Sequence, residues 1–198
     1  MQVRELIRRA EEQRAVTIER TVNVPGPMLL TLLAERRSLT VAELQAHPDQ
    51  HKELRSFQYG HVLGPGLGSS EIDDWQSRHP RHMLPADLRA LLVVVNGIHL
   101  WADLATSRAY FGILPLENWQ DAATSDWAEL YETAPACELV LSYHDNGDYF
   151  LVLDTASQEY RWYDPQDFDN PERVGRTVED LLDFWWKETA WLDPRKGD

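Results

Sequence analysis

Cysteine is almost missing: Cys137 is the single one among 198 residues, so no disulfide can form within the chain. That excludes a scaffold built on disulfides and suits a reducing compartment. Long apolar runs are missing too, since nothing approaches the roughly 20 residues a membrane span needs. The opening stretch from Met1 to Arg9 is charged throughout and has no apolar signal core, so the chain reads as cytoplasmic. Basic residues are scarce, 19 Lys and Arg against 33 Asp and Glu, for a net charge of -14. The deficit is local. Residues 117–198 hold 20 acidic and 6 basic residues, which accounts for the whole excess. Such a field repels phosphate backbones and steers cationic partners, which argues against nucleic acid as the ligand. It also keeps a protein dispersed. What remains is ordinary: 43% hydrophobic and 26% charged residues, enough to bury a core in one domain, or in one domain with an extension.

Periodicity divides the chain. Val3, Leu6, Ile7 and Ala10 recur at helical spacing over residues 2–14. Thr17, Ile18, Thr21, Val22 and Val24 suggest a short strand. Pro25-Gly26-Pro27 breaks the chain, and Met28 to Arg37 reads as a second helix. Thr40 and Glu43 have the spacing of a capping box that opens a short helix near Ala42 to Ala46. After His47-Pro48 comes either a stop or a polar helix containing Lys52, Glu53 and Arg55. Gly60 to Ser70 has the densest loop composition and marks the boundary between a mainly helical N-terminal extension, 1–63, and a second domain, 64–198. Ser70 is placed to start a helix, Pro85 to open the next, and Asn96-Gly97 to end it. The pattern then turns to strands, at Ala109 to Leu114, Glu138 to His144, Tyr149 to Asp154 and Glu159 to Tyr163. Asp145-Asn146-Gly147-Asp148 is a hairpin signal. Asp164-Pro165 opens an acidic loop, and Thr177 caps a last helix with Leu181, Leu182, Trp185 and Trp186 on its face.

Chemistry is harder to find. The Gly-x-Ser-x-Gly elbow is absent, and Gly64 to Ser69 is rich in glycine but lacks the lysine of a phosphate cradle. Cys137 stands beside Glu138, an acidic setting that disfavours the thiolate. His47 and His51 have zinc-like spacing, yet Pro48 lies between them and no structural zinc pattern exists. Asp145, Asp148, Asp154, Asp164, Asp167 and Asp169 could offer oxygen ligands, but they do not follow the calcium-loop pattern, and turns explain several of them. No catalytic residue, metal site or cofactor is therefore expected. Residues from Leu29 to Leu44 faintly resemble the start of a winged-helix DNA-binding protein. Its recognition helix would fall near Asp49 to Tyr59 and would offer only Lys52 and Arg55 to phosphates.

The order of motifs from Leu84-Pro85-Ala86-Asp87-Leu88 to Asn96-Gly97, through Gly112-Ile113-Leu114-Pro115-Leu116-Glu117, the strand Gly147 to Asp154 and Trp162-Tyr163, to Val178-Glu179-Asp180-Leu181-Leu182-Asp183-Phe184 resembles the SUKH superfamily. The resemblance covers about residues 68–190. It implies an α+β fold, a mostly antiparallel sheet flanked by helices, here with a helical N-terminal extension. It further implies a binding module without catalysis. In bacteria such modules are commonly immunity proteins that block a cognate toxin, often a nuclease; in fungi they regulate cell-wall synthesis. An acidic inhibitor can cover the basic cleft of a nuclease and associate quickly through steering. On that reading the contact residues are Asp145, Asp148, Asp164, Asp167, Asp169 and Glu172, with Trp186 as an anchor, because two adjacent Trp on a helix point about 100° apart. The alternative is a regulatory adaptor of the same fold that scaffolds a cell-wall or signalling partner.

Overall fold

The computed structural model describes residues 2–12, 15–23, 34, 40, 42–43, 52–104, 112–124, 137–143, 149–164, 167 and 169–193. Contacts divide the chain into two units. One joins Met1–Val16 to Tyr59–Asp198, and the other is Thr17–Gln58.

In the Thr17–Gln58 unit, the β-branched run forms strand β1 (Val16–Asn23). The capping box is present. Thr40 N–H donates to Glu43 Oε2 at 2.8 Å, and Glu43 N–H donates to Thr40 Oγ1 at 3.2 Å. Most of the Met28 to Arg37 helix and His47-Pro48 lie outside the described residues. The polar helix expected at Lys52, Glu53 and Arg55 is not there: these residues begin strand β2 (Lys52–Pro65). From Ser56 to Tyr59 the strand alternates, with Phe57 and Tyr59 less exposed than Ser56 and Gln58, up to the register shift after the buried Gly60. That is a period of two, which no helix face can satisfy. The recognition helix of the winged-helix reading is lost with it. The expected loop shrinks to Gly66–Gly68, and residue 63 falls inside β2.

The larger unit holds the core. Helix α1 (Val3–Glu12) buries Leu6 and Ala10, as its spacing requires, and packs Val3 and Ile7 against the same cluster. Helix α2 (Ser69–Arg78) buries Ile72 and Trp75. It starts one residue earlier than Ser70 suggested, because Glu71 reaches back to accept the N–H of the N-cap Gly68 at 2.7 Å. Helix α3 (Ala86–Val94) opens after Pro85 and buries Leu88, Leu91 and Leu92. It ends before Asn96-Gly97. Val93, Val94 and Val95 form a β-branched run, and strand β3 (Val95–Asp103) follows without a loop. Gly97 does take a positive φ of 99°, but within the strand and against the ring of Pro115.

Five short strands complete the second sheet: β5 (Gln120–Asp121), β6 (Glu138–Tyr143), β7 (Phe150–Asp154), β8 (Glu159–Tyr163) and β9 (Glu172–Gly175). The first sheet runs β1-β2-β3-β4, where β4 is Gly112–Ile113, and the second runs β5-β6-β7-β8-β9; the described pairings are antiparallel. The expected hairpin is present, with Tyr143 opposite Phe150, while its turn lies outside the described residues. Strand β9 falls where the acidic stretch reads as loop. β7 is buried on both faces. Leu151 and Leu153 join Leu139, Leu141, Tyr160 and Trp162 in the main core; Phe150 and Val152 join Ala122, Val140 and Tyr163 in a second cluster. Helix α4 (Val178–Glu188) is capped by Thr177, whose Oγ1 accepts Asp180 N–H at 3.2 Å while the Asp180 carboxylate accepts Thr177 N–H at 3.1 Å. Asp87 of α3 accepts Val178 N–H at 2.7 Å and so joins the two helices. The architecture is α+β, with four α-helices among the described residues.

Candidate partner-binding surface

Four of the acidic residues named from the sequence, Asp164, Asp167, Asp169 and Glu172, follow β8 or open β9 in the second sheet. Asp164 follows β8 and is half-buried; its carbonyl accepts Asp167 N–H at 3.0 Å. Asp167 and Asp169 are exposed, and Asp167 Oδ1 accepts from Asn170 Nδ2 at 2.9 Å. These bonds are local, as turn residues make them, and Asp167 and Asp169 remain exposed. Glu172 opens β9 directly opposite Trp162 and is exposed. Paired residues share a face, so Glu172 stands on the side where Trp162 stacks with Tyr149 (5.6 Å between centroids) and meets Phe184 of α4 (5.5 Å). The result is a partly apolar seam bordered by acids. Asp145 and Asp148 lie outside the described residues.

Trp185 is buried in the core, and Trp186 is half-buried, as adjacent positions on one helix predict. Trp186 packs toward α1 and β2. The Arg9 guanidinium lies 5.1 Å from its ring centroid and the His61 ring 5.3 Å away. His61 Nδ1 accepts Trp101 N–H at 3.1 Å, and this bond holds Trp101 at a φ of 55°, a strained value for a bulky residue.

The face of the second sheet that holds the Val140, Val152 and Tyr163 cluster also carries a polar group that the sequence reading did not single out. Glu138, Asp154 and Glu159 stand in one row across β6, β7 and β8. Like charges in that arrangement repel. Arg161, two residues along β8, reaches all three: Glu138 at 3.0 Å, Asp154 at 2.9 Å and Glu159 at 3.5 Å. Tyr163 O–H donates to Glu138 Oε1 at 2.7 Å, the atom Arg161 also binds, and Glu138 Oε2 has no hydrogen-bond partner. Burial pushes the Glu138 carboxyl above its usual range against the pull of Tyr163 and Arg161. Asp154 goes the other way: burial would raise it, but the Ser157 hydroxyl and the N–H groups of Ser157 and Ala156 bring it below the ordinary value. The alternation of Glu159, Arg161 and Tyr163 with Tyr160 and Trp162 was the available signal; the row itself depends on register.

These opposite shifts give a testable pH profile. A carboxyl raised in the folded state adds stability below its unfolded pKa and loses it as pH rises through the folded value. In Glu138→Gln that loss is removed. The variant is therefore expected to gain stability relative to the parent as pH climbs from about 4 to 7, in paired urea titrations at each pH. A difference that stays flat across that range refutes the shift.

His82 is buried, with Nδ1 3.3 Å from Thr155 Oγ1 and Nε2 3.2 Å from Asp121 Oδ2. The three side chains have the order of a catalytic triad, but Thr155 O–H donates to the Cys137 carbonyl at 2.7 Å, so its proton is committed to the backbone. His82 Nε2 makes no hydrogen bond, so it is the Thr155 contact that joins the loop before α3 to the ends of β6 and β7. Burial, then the Asp154 and Glu138 charges, push the Cys137 thiol up, which suppresses the reactive thiolate. Among the described residues no group of three or more His, Cys, Asp or Glu is placed to hold a metal, and no helix is long and apolar enough to cross a membrane. No family model matches the chain, and no curated protein matches it.

Proposed function

We propose that this chain is a non-catalytic binding protein of the immunity type, which neutralises a cognate basic toxin by covering its functional cleft. The observation that carries the reading is the exposed acidic set Asp167, Asp169 and Glu172 between β8 and the start of β9, with Glu172 paired opposite Trp162 of the Tyr149–Trp162–Phe184 seam. It lies in the part of the chain, residues 117–198, that holds the entire net charge of -14. A nuclease suits this surface, because a cleft that binds a polyanion is basic. Long-range attraction speeds the encounter, and the aromatic seam offers apolar contact area once the charges have met. The resemblance to SUKH proteins points the same way, as does a single cysteine that needs no oxidising compartment; the cytoplasm is the proposed site of action.

The test is capture from lysate of the source cell at low and high salt, followed by assay of the captured protein. A basic enzyme released by salt and inhibited at one-to-one stoichiometry is the expected result. Asp167→Asn, Asp169→Asn and Glu172→Gln together should slow its association about tenfold at low salt and flatten the salt dependence. A partner that is neutral, or that binds equally at all salt concentrations, overturns the reading.

A further inference from the structure

Strand β3 keeps a bulky residue where the backbone favours glycine. The register of β2 and β3 slips between the pairs Gly60–Ala102 and Val62–His99, so His61 of β2 stands opposite two residues, Leu100 and Trp101. This bulge coincides with the φ of 55° at Trp101, in the left-handed region that glycine enters freely and a bulky side chain does not. Surrounding structure must hold such a residue in place. One bond acts on its backbone directly, from Trp101 N–H to His61 Nδ1. The two rings pack edge to face, 4.3 Å between centroids. Trp186 of α4 and, over it, Arg9 of α1 close the stack.

The bond sets a condition on the proton. A ring nitrogen that accepts must be bare; in an imidazolium both nitrogens carry protons and neither accepts. Trp101 N–H is therefore held only by neutral His61. The ring is 7% exposed, yet it lines a cavity of about 800 Å³ with Ile7, Ala10, Val62 and Leu104, which gives water a path to it. Charges of both signs stand around it. On α1, Arg9 opposes a second positive charge, while Glu11, lining the same cavity, favours one. On β3, His99 and Asp103 lie two residues either side of Trp101, and Asp103 stands opposite Tyr59 of β2. On α4, Lys187 follows Trp186 and is exposed.

We propose that His61 and Trp101 form a proton-operated latch between β2 and β3. Protonation at Nδ1 turns the acceptor into a donor, which then confronts the Trp101 N–H. The strain is released: Trp101 returns to extended backbone and its ring leaves the stack with His61. The sign follows from the bond. The latched chain takes up this proton less readily than a free imidazole, so the latch is complete above about pH 6.5 and is lost as pH falls further. Residues of α1, β2, β3 and α4 meet at the stack, so acidity acts on the seat of α1 as well as on the β2–β3 ladder. The latch needs no partner and stands or falls apart from the immunity reading.

The test is NMR of the full chain from about pH 8 to about pH 5, following the His61 ring and the Trp101 amide together, with far-UV circular dichroism as the measure of folding. The Trp101 amide is expected to move with the His61 midpoint while the dichroism holds. Below that midpoint the ratio of released to latched chain should rise about tenfold per pH unit, as one proton requires. His61→Asn keeps an acceptor near the Nδ1 position and takes up no proton, so its Trp101 amide should stay in place over the whole range. A Trp101 amide that is still while His61 titrates, that follows the His99 midpoint, or that moves equally in His61→Asn overturns the latch. So does a His61 ring that takes up no proton before the chain unfolds. If His61→Asn fails to fold, the titration of the parent chain decides alone.

Discussion

Replacing Arg161 with methionine is expected to cost the fold about 2 to 3 kcal/mol at neutral pH, measured by urea unfolding. The guanidinium is the common partner of Glu138, Asp154 and Glu159. Glu159 keeps Arg173 at 2.6 Å and Arg176 at 3.6 Å, so the loss falls on the other two. Glu138 is the decisive one. Its side chain is 1% exposed, and without Arg161 a buried carboxylate retains only the Tyr163 hydroxyl. Arg161 itself is 26% exposed, which is why the expected cost sits below that of a fully buried pair. The cost should shrink as pH falls and Glu138 takes up a proton. Adding Glu138→Gln to Arg161→Met should restore part of the stability, because the two residues are directly bonded and their effects do not add. A loss under about 0.5 kcal/mol, or strict additivity in that double variant, would show that the row of carboxylates does not depend on Arg161.

The second large effect is expected at Gly64. A Cβ placed there would lie 1.9 Å from the Asn96 carbonyl oxygen and 2.9 Å from its carbon, both main-chain atoms. Strands β2 and β3 approach closely here, at a register shift between Leu63 and Pro65. A flexible side chain could swing away, but a paired strand cannot. Gly64→Ala should therefore destabilise by about 3 kcal/mol or prevent folding, and it should disturb Asn96 and with it Glu117, to which Asn96 Nδ2 donates at 3.2 Å. Gly68→Ala is the control. Its Cβ would first meet the Glu71 carboxylate at 3.3 Å, a mobile side-chain end, so the cost should stay below about 1 kcal/mol. Similar melting temperatures for the two variants would show that the β2–β3 approach is not rigid.

Helices and the outer hairpin were legible because their signals are local. Val3, Leu6, Ile7 and Ala10 report one face of α1, and Leu181, Leu182 and Trp185 one face of α4. Thr177 and Glu43 report caps through spacings of a few residues. Strand β2 is not legible over Lys52, Glu53 and Arg55 because a short polar stretch carries little pattern of its own, and its place in the sheet beside β1 decides its state. β3 was passed over for a similar reason: Asn96-Gly97 has the composition of a stop, and tertiary pairing overrode it. The acidic surface could be named from charge alone, yet Glu172 gained its place beside Trp162 only through the β8–β9 register.

The sequence by itself determined the α+β class, the positions of α1, α3 and α4, the β6–β7–β8 strands and the concentration of negative charge in residues 117–198. Each of these depends on composition or on residues within a few positions of one another. Tertiary structure alone decided which polar groups meet. Arg161 faces Glu138, Asp154 and Glu159 because three strands align in one register, and His61 meets the Trp101 N–H because β2 and β3 pair with a bulge between them. Periodicity tells a residue which face of its own element it occupies; the neighbour across that face is chosen by packing between segments far apart in sequence.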